Sequence, residues 1–303
     1  MNPDTAHTAG ATGGRQASEA GAVLDPRTVL DHVHLTVHDL EPELAFYQDV
    51  LGMRVHRREP GFAALGAGRH DLLRLTERPD APRQPRASGL YHFALLVPER
   101  VDLAQLLRRI SETGAPVQGL VDHHFSEAIY LPDAEGNGVE LNWDRPRQAW
   151  PPVDTVIRRG NGPLDVEGLQ ALLAGTPQPW AGLPPGSSIG HIHLHVGDLQ
   201  AAERFYVGIL GFERRMAFPG QAVFVSAGGY HHHVAFNIWA GRAIPPAPPD
   251  AAGLRHFAIR LADEAELTRV LDRVRAAGLA VEDTPDGSLV RDPAGIAVVL
   301  STP

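Results

Sequence analysis

The chain has no cysteine among its 303 residues, which excludes disulfide frameworks, thiolate metal sites and cysteine nucleophiles. A protein without thiols suits a reducing compartment, so we expect a cytoplasmic protein. No run of about 18 apolar residues is present, so no membrane partner is expected. The net charge of −9 comes without a basic stripe, which argues against nucleic acid as a partner.

The first residues are rich in Ala, Gly, Thr and Ser and lack the apolar core of a secretory signal. This composition predicts a disordered tail over residues 1–27. The rest of the chain contains most of the 16 histidines, and we expect the majority to be ordinary surface or hydrogen-bonded imidazoles.

The remainder of the chain repeats itself. The segment from Asp31, DHVHLTVHDLEPELAFYQDVLGMRV, aligns without a gap with GHIHLHVGDLQAAERFYVGILGFER from Gly190. A second pair, from Gly89 and from Gly253, aligns through GLYHFALL and GLRHFAIR. Two long units, each made of two halves, are therefore predicted.

The sequence of each half predicts the same module, βαβββ. A strand with period-two alternation comes first, and an amphipathic helix follows. Asp39 and Asp198 are placed as N-caps of that helix, while Gly52 and Gly211 are placed at its C-terminal end. Three short strands complete the module. The predicted class is α+β, with four βαβββ modules forming two U-shaped sheets.

The domain boundaries follow from the repeat and from proline-rich connections. Residues 28–145 are predicted as the first pair of modules, which binds a metal, and residues 189–303 as the second pair. Residues 146–188 are predicted as a linker with a short helix that begins after Asp165. A homodimer is a further expectation.

The two units differ in one chemically important position. Glu140 in the first unit aligns with Val299 in the second, so the second pair lacks this carboxylate. His32 and His92 lie on predicted strands. The side chain of each shares a face of the sheet with other polar residues. Two imidazoles and one carboxylate form a ligand set that leaves open positions on divalent iron. We therefore predict a metal site at His32, His92 and Glu140.

Two alternatives concern which histidines meet. If module two pairs with module three, His191 replaces His32 while His92 and Glu140 stay. The run His231, His232 and His233 is interpreted as a strand with structural hydrogen bonds. A second metal site made of His191, His256 and one residue of that run is the competing interpretation.

The segments LDHVHLTVHDLEPELAFYQDVLG and YLPDAEGNGVEL resemble the vicinal oxygen chelate superfamily, which includes glyoxalases, bleomycin resistance proteins and extradiol dioxygenases. Four modules, DRPRQAWP from Asp144 and SAGGYHHHVAFNIWAG from Ser226 resemble its two-unit catechol 2,3-dioxygenase branch. The resemblance implies Fe(II), with Mn(II) as the second choice, and extradiol cleavage of an aromatic diol by dioxygen. It matches the family's ligands to His32, His92 and Glu140.

The same resemblance implies catalytic roles for three further residues. Tyr130 matches a tyrosine that contacts a ligand oxygen, and His123 or His124 is expected to relay protons. Three other functions share the fold: a glyoxalase-type isomerase or lyase, a fosfomycin-type thiol transferase, and a ligand-sequestering protein without metal. The first generally needs a second carboxylate from module one, where Leu73 or Arg74 stands instead.

Overall fold

The computed structural model describes residues 23–174 and 179–303. Most of the predicted tail, residues 1–22, lies outside the described residues. Its last part is packed rather than disordered: Leu24 is buried and its N–H donates to the carbonyl of Gly211, 2.9 Å away. Part of the predicted tail is therefore ordered, because the apolar side chain of Leu24 packs in the core.

Four βαβββ modules follow one another along the chain, as predicted. Module one comprises β1 (Val29–Val37), α1 (Leu40–Ala45) with a π-helical turn (Phe46–Val50), β2 (Arg54–Glu59), β3 (Phe62–Ala67) and β4 (His70–Glu77). Module two comprises β5 (Gly89–Leu96), α2 (Arg100–Thr113), β6 (Gly119–Asp122), β7 (Ser126–Pro132) and β8 (Gly138–Asp144).

The joint between the units holds a 3-10 turn (Arg147–Ala149), α3 (Val153–Arg159), a two-residue strand β9 (Gly162–Pro163) and α4 (Val166–Leu173). Module three comprises β10 (Ser188–His195), α5 (Leu199–Glu203) with a π-helical turn (Arg204–Leu210), β11 (Glu213–Phe218), β12 (Ala222–Ser226) and β13 (Val234–Asn237). Module four comprises β14 (Gly253–Arg260), α6 (Glu264–Ala276), β15 (Glu282–Thr284), β16 (Gly287–Arg291) and β17 (Ala297–Ser301).

The helices begin and end where the sequence predicts. The Asp39 carboxylate accepts from the N–H of Glu41, and that of Asp198 accepts from the N–H of Gln200. Gly52 and Gly211 have φ of 71° and 99°, the left-handed region that glycine adopts without strain. Asp165 caps α4 by accepting from the Gly168 N–H, at the position where a short helix is predicted to begin.

The modules form two mixed sheets. One has eight strands in the order β15-β16-β17-β14-β1-β4-β3-β2, and the other has nine in the order β11-β12-β13-β10-β5-β8-β7-β6-β9. The α+β class with two sheets built from four modules is confirmed. No helix among the described residues is both long and apolar enough to cross a membrane.

Module partnership differs from the arrangement placed first in the sequence analysis. Strand β1 pairs antiparallel with β14, and β5 pairs antiparallel with β10. Module one therefore shares a sheet with module four, and module two with module three, so residues 28–145 and 189–303 each contribute to both sheets. The first strands of all four modules are similar in sequence, and tertiary packing alone selects which of them meet.

Two buried hydrogen bonds connect the sheets in equivalent places. The Tyr47 hydroxyl of module one donates to the Asp133 carboxylate of module two over 2.9 Å. The Tyr206 hydroxyl of module three donates to the Asp292 carboxylate of module four over 3.1 Å. Consecutive modules lie in different sheets, so each bond ties the two sheets together at a turn between strands.

Burial raises the pKa of Asp292 to about 6, from an ordinary value of 3.8, although hydrogen bonds from Ile296 N–H and Tyr206 oppose the rise. The folded chain then holds this proton more tightly than the unfolded chain does. The stability that the raised pKa contributes is fully present below the unfolded value and is lost as the pH rises through about 6.

We expect the free energy of unfolding of the wild type, minus that of Asp292→Asn, to fall by on the order of 3 kcal/mol from about pH 4 to about pH 7. Asparagine cannot titrate, and the variant keeps all other ionisable groups. Urea denaturation of both proteins across this range measures the difference. Two curves that stay parallel would show that the Asp292 carboxyl does not titrate differently on folding.

Candidate metal centre

Three polar side chains converge in the middle of the nine-stranded sheet, on the neighbouring strands β10, β5 and β8. Ala94 of β5 stands opposite His191 on one side and opposite Glu140 on the other. His92 lies two residues before Ala94 and therefore on the same face of the sheet. The small Ala94 side chain leaves the space between these three residues open.

The three donor groups lie within 4.8 Å of one another. His191 Nε2 is 2.9 Å and His92 Nε2 is 3.1 Å from the same oxygen, Glu140 Oε2. All three side chains are buried, and Glu140 is 1 % exposed. The second oxygen, Glu140 Oε1, has no hydrogen-bond partner in the part of the chain that the structure describes.

The pKa values of Glu140 and His191 are both displaced from their ordinary values. Burial alone would raise the pKa of Glu140, but the electrostatic interaction with His191 and hydrogen bonds from His191 and His92 lower that pKa well below its ordinary value. Burial lowers the pKa of His191, against the opposing charge of Glu140. At neutral pH the group therefore contains a carboxylate beside a neutral imidazole, the protonation states that a metal requires of these ligands.

These residues fit a divalent metal ion. A buried carboxylate oxygen without a partner is costly to the fold, and a cation between the three groups would satisfy it. Two imidazoles and one carboxylate on one face of a sheet leave the opposite side of such an ion open to other ligands. His92, Glu140 and His191 are accordingly the residues that could hold it.

Gly138 allows the close approach of β8 to His92. The two residues are opposite each other in the parallel β5–β8 pair. A Cβ added at Gly138 would lie 2.2 Å from the Tyr91 carbonyl oxygen and 2.9 Å from the His92 Cβ. Any larger residue would push β8 away from β5 and separate Glu140 from its histidines.

Tyr130 and His123 form a hydrogen-bonded pair beside this group. The Tyr130 ring packs edge-on against His92, with ring centres 5.4 Å apart. Its hydroxyl lies 2.8 Å from His123 Nε2, and His123 Nδ1 lies 3.0 Å from Asn161 Oδ1. Because the amide oxygen can only accept, His123 donates from Nδ1 and accepts the tyrosine proton at Nε2.

Burial lowers the pKa of His123, and burial together with the Glu140 charge raises the pKa of Tyr130 well above its ordinary value. Both are thus neutral. His124, the other candidate for proton relay, turns away: its Nε2 lies 2.8 Å from the Gly160 carbonyl oxygen, and its ring does not line the cavity described below. Of the two adjacent histidines, the structure brings His123 to the group.

A cavity of about 600 Å3 opens in front of the three residues. Its walls are largely apolar and aromatic, and its wall residues include Phe125, Trp150, Met216 and Phe224. Tyr91 and Trp239, 41 % and 50 % exposed, pack edge-to-face with ring centres 5.3 Å apart and stand where the cavity meets solvent. The space is of a size that holds one small aromatic molecule.

His32, the first predicted ligand, lies in the other sheet. Its Nε2 is 3.3 Å from His256 Nε2, and Asp286 completes a second group of the same size. Here the Asp286 carboxylate is already paired with Arg74 over 2.7 Å. The His191 alternative matches the structure instead, because β10 and not β1 is the neighbour of β5.

The run His231–His233 is not a strand and does not form a site with His191 and His256, which lie in different sheets. It lies between β12 and β13. His231 Nε2 is 3.0 Å from Asp144, and His233 Nδ1 accepts from the Ala227 N–H. Structural hydrogen bonds are the role predicted for these histidines, although a connecting segment replaces the predicted strand.

Among the cavity residues that the sequence pattern does not predict are His193, Tyr91, Asn161 and Trp239. His193 alternates with His191 on β10, and this alternation was the available signal. Asn161 and Trp239 come from connections between strands, and no pattern in the sequence predicts which connection closes over the cavity.

Comparison with known proteins agrees with this architecture. The model of the Glyoxalase/Bleomycin resistance protein/Dioxygenase superfamily matches residues 29–141 and 188–300. A catechol-2,3-dioxygenase of Bacillus subtilis (strain 168) is 42% identical over 281 residues, which cover 90% of this chain and 96% of that protein.

Solved structures share the fold at low sequence identity. A provisionally named dioxygenase from Bacillus subtilis subsp. subtilis str. 168 superimposes with a TM-score of 0.64 at 16% identity, covering 93% of this chain and 86% of that one. Glyoxalase I from Zea mays gives a TM-score of 0.56 at 19% identity, covering 90% and 92%. With two matched units that span most of its length, the chain belongs to the Glyoxalase/Bleomycin resistance protein/Dioxygenase superfamily.

Proposed function

We propose that this protein is a metal-dependent extradiol ring-cleaving dioxygenase that acts on catechol or a substituted catechol. The observation that carries the proposal is the convergence of His92, Glu140 and His191 on one buried point in front of an aromatic cavity. The similarity to a protein named catechol-2,3-dioxygenase, which extends over nearly the whole of both chains, supports the same reaction class.

Fe(II) is the proposed metal, with Mn(II) as the second choice, because both accept nitrogen and oxygen ligands in this arrangement. When bound, such a cation supplies positive charge that lowers the pKa of the catechol hydroxyls and open positions where diol and dioxygen meet. The chain supplies two imidazole nitrogens and one carboxylate, so a bound divalent cation would keep a net positive charge at the site.

Tyr130 and His123 are proposed to position the substrate and to move its proton. The tyrosine hydroxyl stands next to His92, at the edge of the cavity, so it can hydrogen-bond an oxygen of a diol. When the Tyr130 oxygen takes a proton from the diol, its own proton passes to His123 Nε2. Asn161 holds the imidazole in the tautomer that leaves Nε2 free to accept this proton. The apolar walls exclude water from the reacting ring.

The glyoxalase-type function is less well supported. It generally needs a second carboxylate, and the group around His92 contains one carboxylate among the described residues. A sequestering protein without metal would gain nothing from a buried, ionised Glu140. A fosfomycin-type transferase uses the same three ligands, and the ring-cleavage assay distinguishes it from a dioxygenase.

The reaction class is tested by an experiment that begins without oxygen. Purified protein is loaded with Fe(II), mixed with catechol without oxygen, and then exposed to air. A yellow ring-cleavage product is expected from an extradiol enzyme. No colour with catechol, methylcatechols or dihydroxyphenylacetate, from protein that holds iron, would rule out the dioxygenase and favour the transferase.

The repeat provides a matched test of the ligands. His191 and His32 are equivalent positions in the two sheets, so we compare His191→Ala with His32→Ala. We expect His191→Ala and Glu140→Gln to lose bound iron and to lower kcat/KM by at least about 100-fold, since even neighbours of a ligand cost about 10- to 100-fold.

Iron per chain is measured by plasma emission, and thermal unfolding checks that each variant is folded. His32→Ala is expected to keep its iron and its activity. If His32→Ala loses the metal while His191→Ala keeps it, the ligands lie in the other sheet and the proposed site is wrong.

A second comparison uses the adjacent histidines. Tyr130→Phe and His123→Asn are each expected to keep iron but to lower kcat/KM by about 10- to 100-fold, the worth of a hydrogen bond to a charged group. His124→Asn is the control, because its ring bonds to Gly160 and asparagine tolerates its φ of 66°. Equal effects of His123→Asn and His124→Asn would contradict the assignment.

A further inference from the structure

One arginine on the cavity wall is placed there by an irregularity of its strand. In the β11–β12 pair Arg214 is opposite Val225 and Met216 is opposite Phe224, so Arg215 is an extra residue without a partner. Such a β-bulge bends the strand and re-aims a side chain. Arg215 and Met216 consequently both line the cavity, although they are neighbours in sequence.

Within the described part of the chain, the guanidinium of Arg215 has no carboxylate partner. Its Nε is buried and has no hydrogen-bond partner among residues 23–174 and 179–303, and no carboxylate of these residues pairs with it. Other arginines nearby are paired: Arg214 with Glu203, and Arg145 with Asp122 and Glu127. A cation held against an apolar wall without an anion is costly unless a ligand supplies the anion.

The equivalent position in the other sheet shows the contrast. Module one has the same bulge, between Val55 and Arg57, and His56 is the extra residue there. His56 Nδ1 lies 3.0 Å from the Asp71 carboxylate. The fold therefore offers two equivalent bulges, and the one whose side chain is left without a carboxylate is the one that faces the cavity.

The order of the strands determines how far Arg215 lies from the proposed metal ligands. Strand β11 is three strands away from β10, which is about 14 Å along the sheet at the usual strand spacing. Met216, Phe218 and Phe224 cover the wall beside Arg215. A plain catechol bound at His92 and Glu140 would leave the arginine unpaired, whereas a diol with a short side chain would extend toward it.

We infer that the substrate is an aromatic vicinal diol with a carboxylate on its side chain, and that Arg215 binds this carboxylate. The inference rests on the proposed function, since it places the diol at His92, Glu140 and His191. Arginine presents parallel N–H groups that match both oxygens of a carboxylate, which makes it a specificity-determining residue for such a substrate.

The experiment compares three diols with vicinal hydroxyls: catechol, dihydroxyphenylacetate and the methyl ester of the latter. The ester removes the negative charge of the acid and adds one methyl group. In the wild type we expect kcat/KM for the acid to exceed that for the ester by about 10-fold or more, the worth of a charged hydrogen bond. No preference for the acid in an active wild type overturns the inference and leaves the proposed function standing.

Variants at adjacent arginines locate the effect. Arg215→Met is expected to abolish the preference for the acid while catechol turnover changes by less than about 3-fold, and Arg215→Lys to restore part of it. Arg214→Met, whose arginine is exposed and pairs with Glu203, is the control and keeps the preference. An equal loss for all three diols in Arg215→Met would assign the residue a structural role and refute the inference.

A binding measurement separates this inference from the proposed function. Trp150 and Trp239 line the cavity, so quenching of their fluorescence reports binding to anaerobic, iron-loaded protein without turnover. Tighter binding of the acid than of the ester, lost in Arg215→Met, supports the anion site even if no diol is cleaved. Equal binding of acid and ester by wild type and Arg215→Met overturns it.

Discussion

The site depends on one strand pair, the antiparallel contact of β5 with β10. This contact brings His191 beside Ala94, and the parallel β5–β8 pair brings Glu140 to the other side of the same residue. Three strands from two modules thus bring three candidate ligand atoms together above the small Ala94 side chain. No single module could do this, since each contributes at most two of the three side chains.

The two sheets show how little separates a candidate metal site from a hydrogen-bonded core. Both place two histidines at equivalent points, His191 with His92 and His32 with His256. In the nine-stranded sheet Glu140 is buried and one of its oxygens has no hydrogen-bond partner among the described residues. In the eight-stranded sheet Val299 occupies the position equivalent to Glu140, and the nearby Asp286 carboxylate pairs with Arg74. One substitution in a strand and one arginine decide which site carries an uncompensated negative charge.

Much of this could be predicted from the sequence. The repeat gave the four modules, Asp39 and Asp198 gave the helix starts, and the difference between Glu140 and Val299 indicated which half of the repeat to examine. These signals are local, since caps and alternating strands depend on residues close together in the chain. Glu140 and His92 also belong to one module, so the sequence predicts that they lie close together.

The third member of the candidate site, His191, could not be identified in this way. His32 and His191 lie at equivalent positions of similar strands. The choice between them depends on which strand lies next to β5, a contact between residues about a hundred positions apart. The same holds for Asn161 and Arg215, which reach the cavity through a connection and a bulge. Local patterns do not encode how distant strands associate, because that association depends on the packing of the whole sheet.

The exchanged partnership of the modules has a consequence for synthesis on the ribosome. Strand β5 finds its neighbour β10 as soon as the third module has emerged, whereas β1 must wait for β14, more than two hundred residues later. Until the last module is translated, the edge of β1 exposes unpaired backbone groups that invite association with other chains. The nascent chain therefore completes the half with the buried carboxylate first, and its earliest strand is the one that stays unprotected longest.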